Sequence, residues 1–136
     1  MATVLNRWSA ALHALGIAPN YAVTLDVRGR RSGGLISVPL VMVVVEGDRY
    51  LVSMLGRDAQ WVRNVEAEGN NVVLRHGRRE QVHLEGVPVN RRAPILKAYL
   101  KRAPGARPHV PVRKDAPLSE FEKIAARFPV FRVVPR

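Results

Sequence analysis

The sequence predicts an α+β fold organised around an antiparallel β-barrel. About six β-rich segments follow one another from residue 21 onward, several separated only by short turns carrying glycine or charge. Helical patterns are inserted late among them, so the regular βαβ alternation of a doubly wound sheet is missing. At 136 residues the chain suffices for one domain with a real core, burying roughly two thirds of its unfolded surface.

Taken in order, Val4, Leu5, Trp8, Ala11, Leu12 and Leu15 share one face at helical spacing, with Gly16 placed to end the helix. Residues 1–20 are therefore read as an amphipathic helix and residues 21–136 as the barrel domain. The helix face suits packing on its own domain. Peripheral contact with a membrane is the sharper alternative, with Arg7 as its basic contact. Ala22–Arg28 is β-rich and runs into the glycine-punctuated turn of residues 28–34. Residues 35–45 form a long apolar run, in which Pro39 implies a bulge or an edge position. Glu46-Gly47-Asp48 turns the chain into a strand over residues 49–55, making a hairpin.

A short helix over residues 58–67 follows, with Asp58 as its cap and Trp61, Val62 and Val65 as its apolar side. Strands over residues 71–75 and 80–89 flank the His76-Gly77 turn. Asn90 is placed to cap a helix reaching Lys101, with Ile95, Leu96, Tyr99 and Leu100 facing inward. Residues 103–117 contain Pro104, Pro108, Pro111 and Pro117 and read as a loop, a candidate mobile lid. A helix over residues 118–128 and a strand over 130–134 complete the chain.

Composition narrows the chemistry. No cysteine is present, which excludes disulfides, thiolate metal sites, iron–sulfur clusters and cysteine nucleophiles. His13, His76, His83 and His109 have no i,i+4 partner of their own kind, so no metal site is expected. Twenty-two Lys and Arg against 11 Asp and Glu give a net charge of +11, a field that attracts anionic partners. The cations are scattered over turns and the aromatics are few, so nucleic acid is not the expected partner. No run approaches the length of a membrane span, and no signal peptide is recognisable, so the expected location is cytoplasmic, with or without membrane association.

Two segments can recognise an anion. Gly29-Arg30-Arg31-Ser32-Gly33 combines backbone freedom with two guanidinium groups and a hydroxyl, although a basic turn that simply faces solvent reads the same way. It matches neither the Walker spacing nor GxGxxG. In Ser53-Met54-Leu55-Gly56-Arg57-Asp58 a strand end passes through glycine into a helix start, which offers N–H groups. Trp61 and Asn64 then share a helix face. Trp61 suits a core equally well, whereas a polar Asn64 in mid-helix asks for a partner. No nucleophile elbow G-x-S-x-G occurs, and the carboxylates show no spacing specific to acid–base work.

These segments occur in a telling order: Arg28-Gly29-Arg30-Arg31-Ser32-Gly33, Val38-Pro39-Leu40, Tyr50-Leu51-Val52-Ser53 with Gly56, Trp61-Val62-Arg63-Asn64, and Phe128-Pro129-Val130-Phe131-Arg132-Val133. The series resembles the deazaflavin-dependent nitroreductase family, F420H2-dependent reductases of mycobacteria and related actinobacteria, from about Val23 to the C-terminus. The resemblance implies a split β-barrel like that of the FMN-binding pyridoxamine-phosphate oxidases, compatible with a homodimer. It implies coenzyme F420 as cofactor and hydride transfer from F420H2 to a small organic acceptor such as a quinone or nitro compound. The alternative is a split-barrel protein that binds FMN, haem or a fatty acid without redox turnover.

By position, the resemblance assigns Arg30, Arg31, Ser32 and Gly33 to the phosphate and tail of the cofactor. Pro39 and Leu40 would lie along the deazaflavin ring. Ser53, Met54, Gly56 and Arg57 would lie on its other edge, with Ser53 orienting cofactor or substrate. Trp61 and Asn64 match the family's helix motif beside the cofactor. Where the best-known members line their substrate pocket with tyrosines, this chain offers Tyr99 with Phe121, Phe128 and Phe131, a lining that suits a quinone. Since the deazaflavin supplies the hydride chemistry, the absence of a triad or metal motif is consistent with this reading.

Overall fold

A computed structural model of the chain describes residues 22–136; the amphipathic helix expected over residues 1–20 lies outside them. Six strands form the frame: β1 (Ala22–Arg28), β2 (Leu35–Val45), β3 (Asp48–Val52), β4 (Asn71–Arg75), β5 (Arg79–Gly86) and β6 (Val130–Pro135). Among the described residues three α-helices accompany them: α1 (Gln60–Ala67), α2 (Ala93–Arg102) and α3 (Leu118–Ile124). All strand pairs are antiparallel, and the order β1-β2-β3-β6-β5-β4 closes into a barrel through the β4–β1 pairing. This is the α+β split-barrel architecture expected from the sequence.

Period-two patterning explains the closure. Val23, Leu25 and Val27 of β1, Leu51 of β3, Val72 and Leu74 of β4, Val82 and Leu84 of β5, and Phe131 and Val133 of β6 all enter one interior cluster. A six-stranded barrel is narrow enough for such side chains to fill it. Helix α1 closes the end where β3 stops and β4 begins, sending Trp61, Val62 and Val65 into the same cluster. The rings of Trp61 and Phe131 meet edge to face with centroids 5.8 Å apart. The opposite mouth holds polar groups. There Arg49 of β3 grips Glu80 of β5 through two bonds of 2.7 and 2.8 Å, and His76 lies 3.1 Å from the same carboxylate. The paired Arg49 guanidinium, chiefly through its hydrogen bonds, pulls the Glu80 carboxyl down to about 2.

Outside the barrel, Val41 and Val43 of β2 with Val52 and Val130 form the floor of a second core, roofed by Ile95, Leu96, Tyr99, Leu100 and Phe121 of α2 and α3. Tyr99 is buried there, which pushes its phenol up to about 12. Tyr99, Phe121 and Phe128 thus pack in the outer core and Phe131 in the barrel, so the aromatic lining expected for an acceptor pocket is packing instead.

Several boundaries differ from the sequence reading. Asp58 does not cap α1: the helix starts at Gln60 after Ala59, without a side-chain cap, and Asp58 pairs with Arg63 instead. Asn90 lies in a 3₁₀ turn, Val89–Arg91, and α2 starts behind Arg92 with Pro94 in its first turn, where a missing N–H costs nothing. Strand β3 ends at Val52 and β5 at Gly86, shortly before Pro88. The last helix tightens into a 3₁₀ turn at Ala125–Arg127. The proline-bearing segment is no free lid. It forms a 3₁₀ helix at Pro104–His109, buries Ala103 and Ala106, and is tied at Ala116 by the Lys97 ammonium at 2.8 Å.

Candidate functional site

The barrel closes unevenly, and that unevenness makes the candidate site. Strands β2 and β3 pair only from Met42↔Leu51 to Val45↔Asp48. Carried one rung further, that register would bond Val41 to Val52 and then Leu40 to Ser53. Instead β3 stays with β6: the Ser53 N–H donates to the Pro129 carbonyl at 3.0 Å, one rung beyond Val52↔Val130. Along Leu35–Val41, β2 therefore has β1 as its only strand partner among the described residues. A seam opens between the two banks. Pro39 sits on this unshared half of β2, where a residue lacking an N–H forfeits no ladder bond on the open side. The edge position expected for it is thus observed.

Pro39 and Leu40 belong to the β2 bank, with half-buried Leu40 resting on the barrel interior. The opposite bank is the tight turn after β3. Buried Ser53 donates its hydroxyl to the Gly56 carbonyl at 2.6 Å, while the Gly56 N–H returns to the Ser53 carbonyl at 3.2 Å. Gly56 holds φ at +88°, a conformation that L side chains rarely adopt. The hydrogen of Ser53 is therefore committed to shaping the turn. Met54 packs back onto the outer core, whereas Leu55 at the tip is 64% exposed. Leu35 and Ile36, at the start of β2, are large apolar side chains also exposed at this end of the barrel.

The β1–β2 turn and helix α1 meet at the top of the seam. Asn64, only 3% exposed, accepts two hydrogen bonds through its Oδ1, from the Arg30 backbone N–H at 3.1 Å and from Arg30 Nη1 at 2.8 Å. Gln60 accepts Arg30 Nη2 at 2.9 Å. The turn beyond is closed by Gly29 N–H to the Gly34 carbonyl at 2.7 Å and by Gly33 N–H to the Gly29 carbonyl at 2.8 Å. Ser32 Oγ accepts the Gly34 N–H, so it too braces the turn. Arg31, Ser32 and Gly33 are exposed. Of the residues assigned from sequence, the structure thus joins Arg30 to Asn64 directly. Arg31, Ser32 and Gly33 sit on the same turn, and Trp61 lies beneath it in the core.

Charge gathers on both sides. Arg31 and Arg57 have no carboxylate partner among the described residues, unlike Arg49, Arg63, Arg75 and Arg132. Arg57 also lies close enough to Arg92 that its like charge, after burial itself, pushes the Arg92 guanidinium below its ordinary range. Arg92 is held by the carbonyls of Val87, Ala125 and Phe128 at 2.8, 3.1 and 3.4 Å. The sequence reading missed Gln60 and Arg92. Gln60 lies one helical turn before Asn64 and was accessible from that spacing; the carbonyls that hold Arg92 come from two segments far apart in sequence, Val87 and the Ala125–Phe128 turn, which no local pattern reveals. A hollow of about 570 Å³ lies elsewhere, between the outer face of β3–β6 and helix α2, and contains none of the assigned residues.

Comparison with known proteins bears on the fold and the family. A search of the curated proteins finds no match. Among solved structures, the chain is similar to an F420-H2 dependent reductase, FDR-A, at 23% identity and TM-score 0.55, covering 86% of this chain and 96% of that one. It is similar to a protein described as a domain-swapped dimer at 19% identity and TM-score 0.58, covering 98% and 99%. It also resembles Atu2129 of Agrobacterium tumefaciens, a protein of unknown function, at 10% identity and TM-score 0.60, covering 93% of this chain but only 54% of that one. At these identities the likeness shows the fold. The family model described as F420H(2)-dependent quinone reductase matches residues 10–113, most of the chain and all of the seam's assigned residues. The chain belongs to the F420H(2)-dependent quinone reductase family of oxidoreductases.

Proposed function

We propose that the chain binds reduced coenzyme F420 along the β2–β3 seam and passes its hydride to a small organic acceptor, a quinone or nitro compound. The observation that carries this reading is the seam itself: a strand edge unshared among the described residues, flanked by Arg31 and Arg57, cations without carboxylate partners among those residues. Coenzyme F420 bears a phosphate and a γ-glutamyl tail, so its anionic end fits such a surface. When bound, the deazaflavin supplies the hydride. The chain's own work is to bind, orient and exclude water. Arg30, Arg31, Ser32 and Gly33 would hold the anionic end, and Pro39 and Leu40 would back the ring. The Ser53–Gly56 turn, with Met54 and Arg57, would border its other edge. Trp61 supports the site from within the core. The exposed Leu35, Ile36 and Leu55 give an apolar acceptor a surface to contact.

Among the described residues no helix is long and apolar enough to cross a membrane. The protein described as a domain-swapped dimer supports a homodimer here, which sedimentation would read directly.

Fluorescence titration tests the cofactor. F420 is expected to bind more tightly than FMN, because the arginines meet both phosphate and carboxylates, and F420H2 should be oxidised by menadione. Equal or tighter FMN binding without turnover would favour a ligand-binding split barrel.

A further inference from the structure

We infer that Gln60 and Asn64 are positioning residues that fix the Arg30 guanidinium as a preformed anion fork while leaving its charge uncompensated. The inference rests on the reading of the seam as the F420 site and adds how one of its cations is presented.

The argument turns on which groups hold which arginines. Arg49 is held by Glu80, Arg75 by Asp26, Arg63 by Asp58 and Arg132 by Glu85. In each of these pairs a carboxylate cancels the charge it orients. Arg30 is held as closely, at 2.8 and 2.9 Å, but by two neutral side-chain amides one helical turn apart on α1. A guanidinium has five N–H groups, and among the described residues only two are engaged, which leaves three for a ligand.

The amide of Asn64 is itself determined. Its oxygen must face the two Arg30 donors, because the reversed amide would set donor against donor. The backbone bond at Arg30 also ties the turn to the same atom, so side chain and main chain are oriented together. An exposed arginine loses much of its rotamer freedom when it grips an anion. Arg30 has lost that freedom before any ligand arrives, which is preorganisation in the strict sense. Arg31, exposed and without a carboxylate partner among the described residues, has not.

Three variants separate this from a merely structural role. All are read by F420 fluorescence titration and thermal melting, alongside kcat with menadione at saturating F420H2. Gln60→Ala frees one side of the fork and is expected to weaken F420 binding by about three- to tenfold, with kcat unchanged. Gln60→Glu is the decisive variant: it keeps the acceptor in place and strengthens the grip on Arg30, but adds a charge that competes with the ligand. It is expected to weaken binding at least as much as Gln60→Ala while leaving the melting temperature equal or higher. Arg30→Ala should weaken binding more than either. Wild-type affinity in Gln60→Glu, or in Gln60→Ala when Arg30→Ala is impaired, overturns the inference and leaves the F420 reading intact. Failure of Arg30→Ala to alter the affinity overturns it as well. Absence of F420 binding by the wild-type protein overturns both.

Discussion

Glu46 and Gly47 form the two-residue loop of the β2–β3 hairpin, with φ of 51° and 85°. Two consecutive positive φ values match the mirror-image turn that fits the twist of paired strands, for which asparagine or aspartate before glycine is preferred. A glutamate in the first position is strained without a local side-chain bond to relieve it. Glu46→Asn should raise stability by about 0.5–1 kcal/mol in chemical denaturation, with F420 affinity unaltered because the loop is at the far mouth of the barrel. Ser53 is the opposite case, a small residue with its hydrogen already used. Ser53→Ala removes the bond to the Gly56 carbonyl and should cost about 1 kcal/mol of stability. The rate of F420H2 oxidation in single turnover should fall less than about tenfold, since general acid catalysis would be worth ~100-fold or more. A larger loss with cofactor bound would make Ser53 a proton donor.

Among the elements, β1 and β4 were legible in the sequence because buried apolar residues alternate along them beside glycine turns, β2 because its apolar run is long and ends just before Gly47, and β6 because it is β-rich and follows Pro129. Helix starts were less legible. Asp58 and Asn90 are good capping residues by type, yet the chain ignores both: Asp58 finds Arg63, and Pro94 sets where α2 can begin. The loop over residues 103–117 looked free because prolines interrupt any periodic pattern, but Ala103 and Ala106 are small enough to be buried beside α2. The candidate site was legible as a set of segments and not as a geometry. Nothing in Leu40 or Ser53 announces that their strands part there, because the parting is decided by β3 remaining with β6.

The pairing of β3 with β5 side chains across the barrel mouth gives a pH signature. The Glu80 carboxyl is lowered from 4.5 to about 2 in the fold, chiefly by its hydrogen bonds with Arg49. Its contribution to stability is therefore complete above pH 4.5 and is lost as the pH falls from there toward 2. The full shift corresponds to about 3 kcal/mol, which contact with solvent at the mouth reduces to about 1–2 kcal/mol. Urea denaturation at pH 7 and pH 2.5 should show wild type losing that amount more than Glu80→Gln; equal losses would mean the bridge is energetically idle.

At the scale of the whole molecule, two cores share one wall. Strand β2 sends Leu40 and Met42 into the barrel and Val41 and Val43 into the outer core, so both depend on its register. Helix α1 is a plug and a brace at once: Trp61 and Val65 seal the interior while Gln60 and Asn64 hold Arg30. The surface proposed to bind an anion is thereby mounted on a helix packed into the barrel core.

The seam has one more consequence, for the protein without its cofactor. A closed barrel protects itself from strand addition by having no edges, and here no described strand pairs with the outer side of β2 from Leu35 to Val41, beside exposed Leu35 and Ile36. Pro39, in the middle of that stretch, cannot donate to an incoming strand and so works as a gatekeeper against aggregation. Pro39→Val should fold, since valine suits a strand, but light scattering should show the apo protein self-associating faster than wild type. Saturating F420 should suppress the difference by covering the edge. If the two apo proteins aggregate alike, the proline is there for the ligand alone.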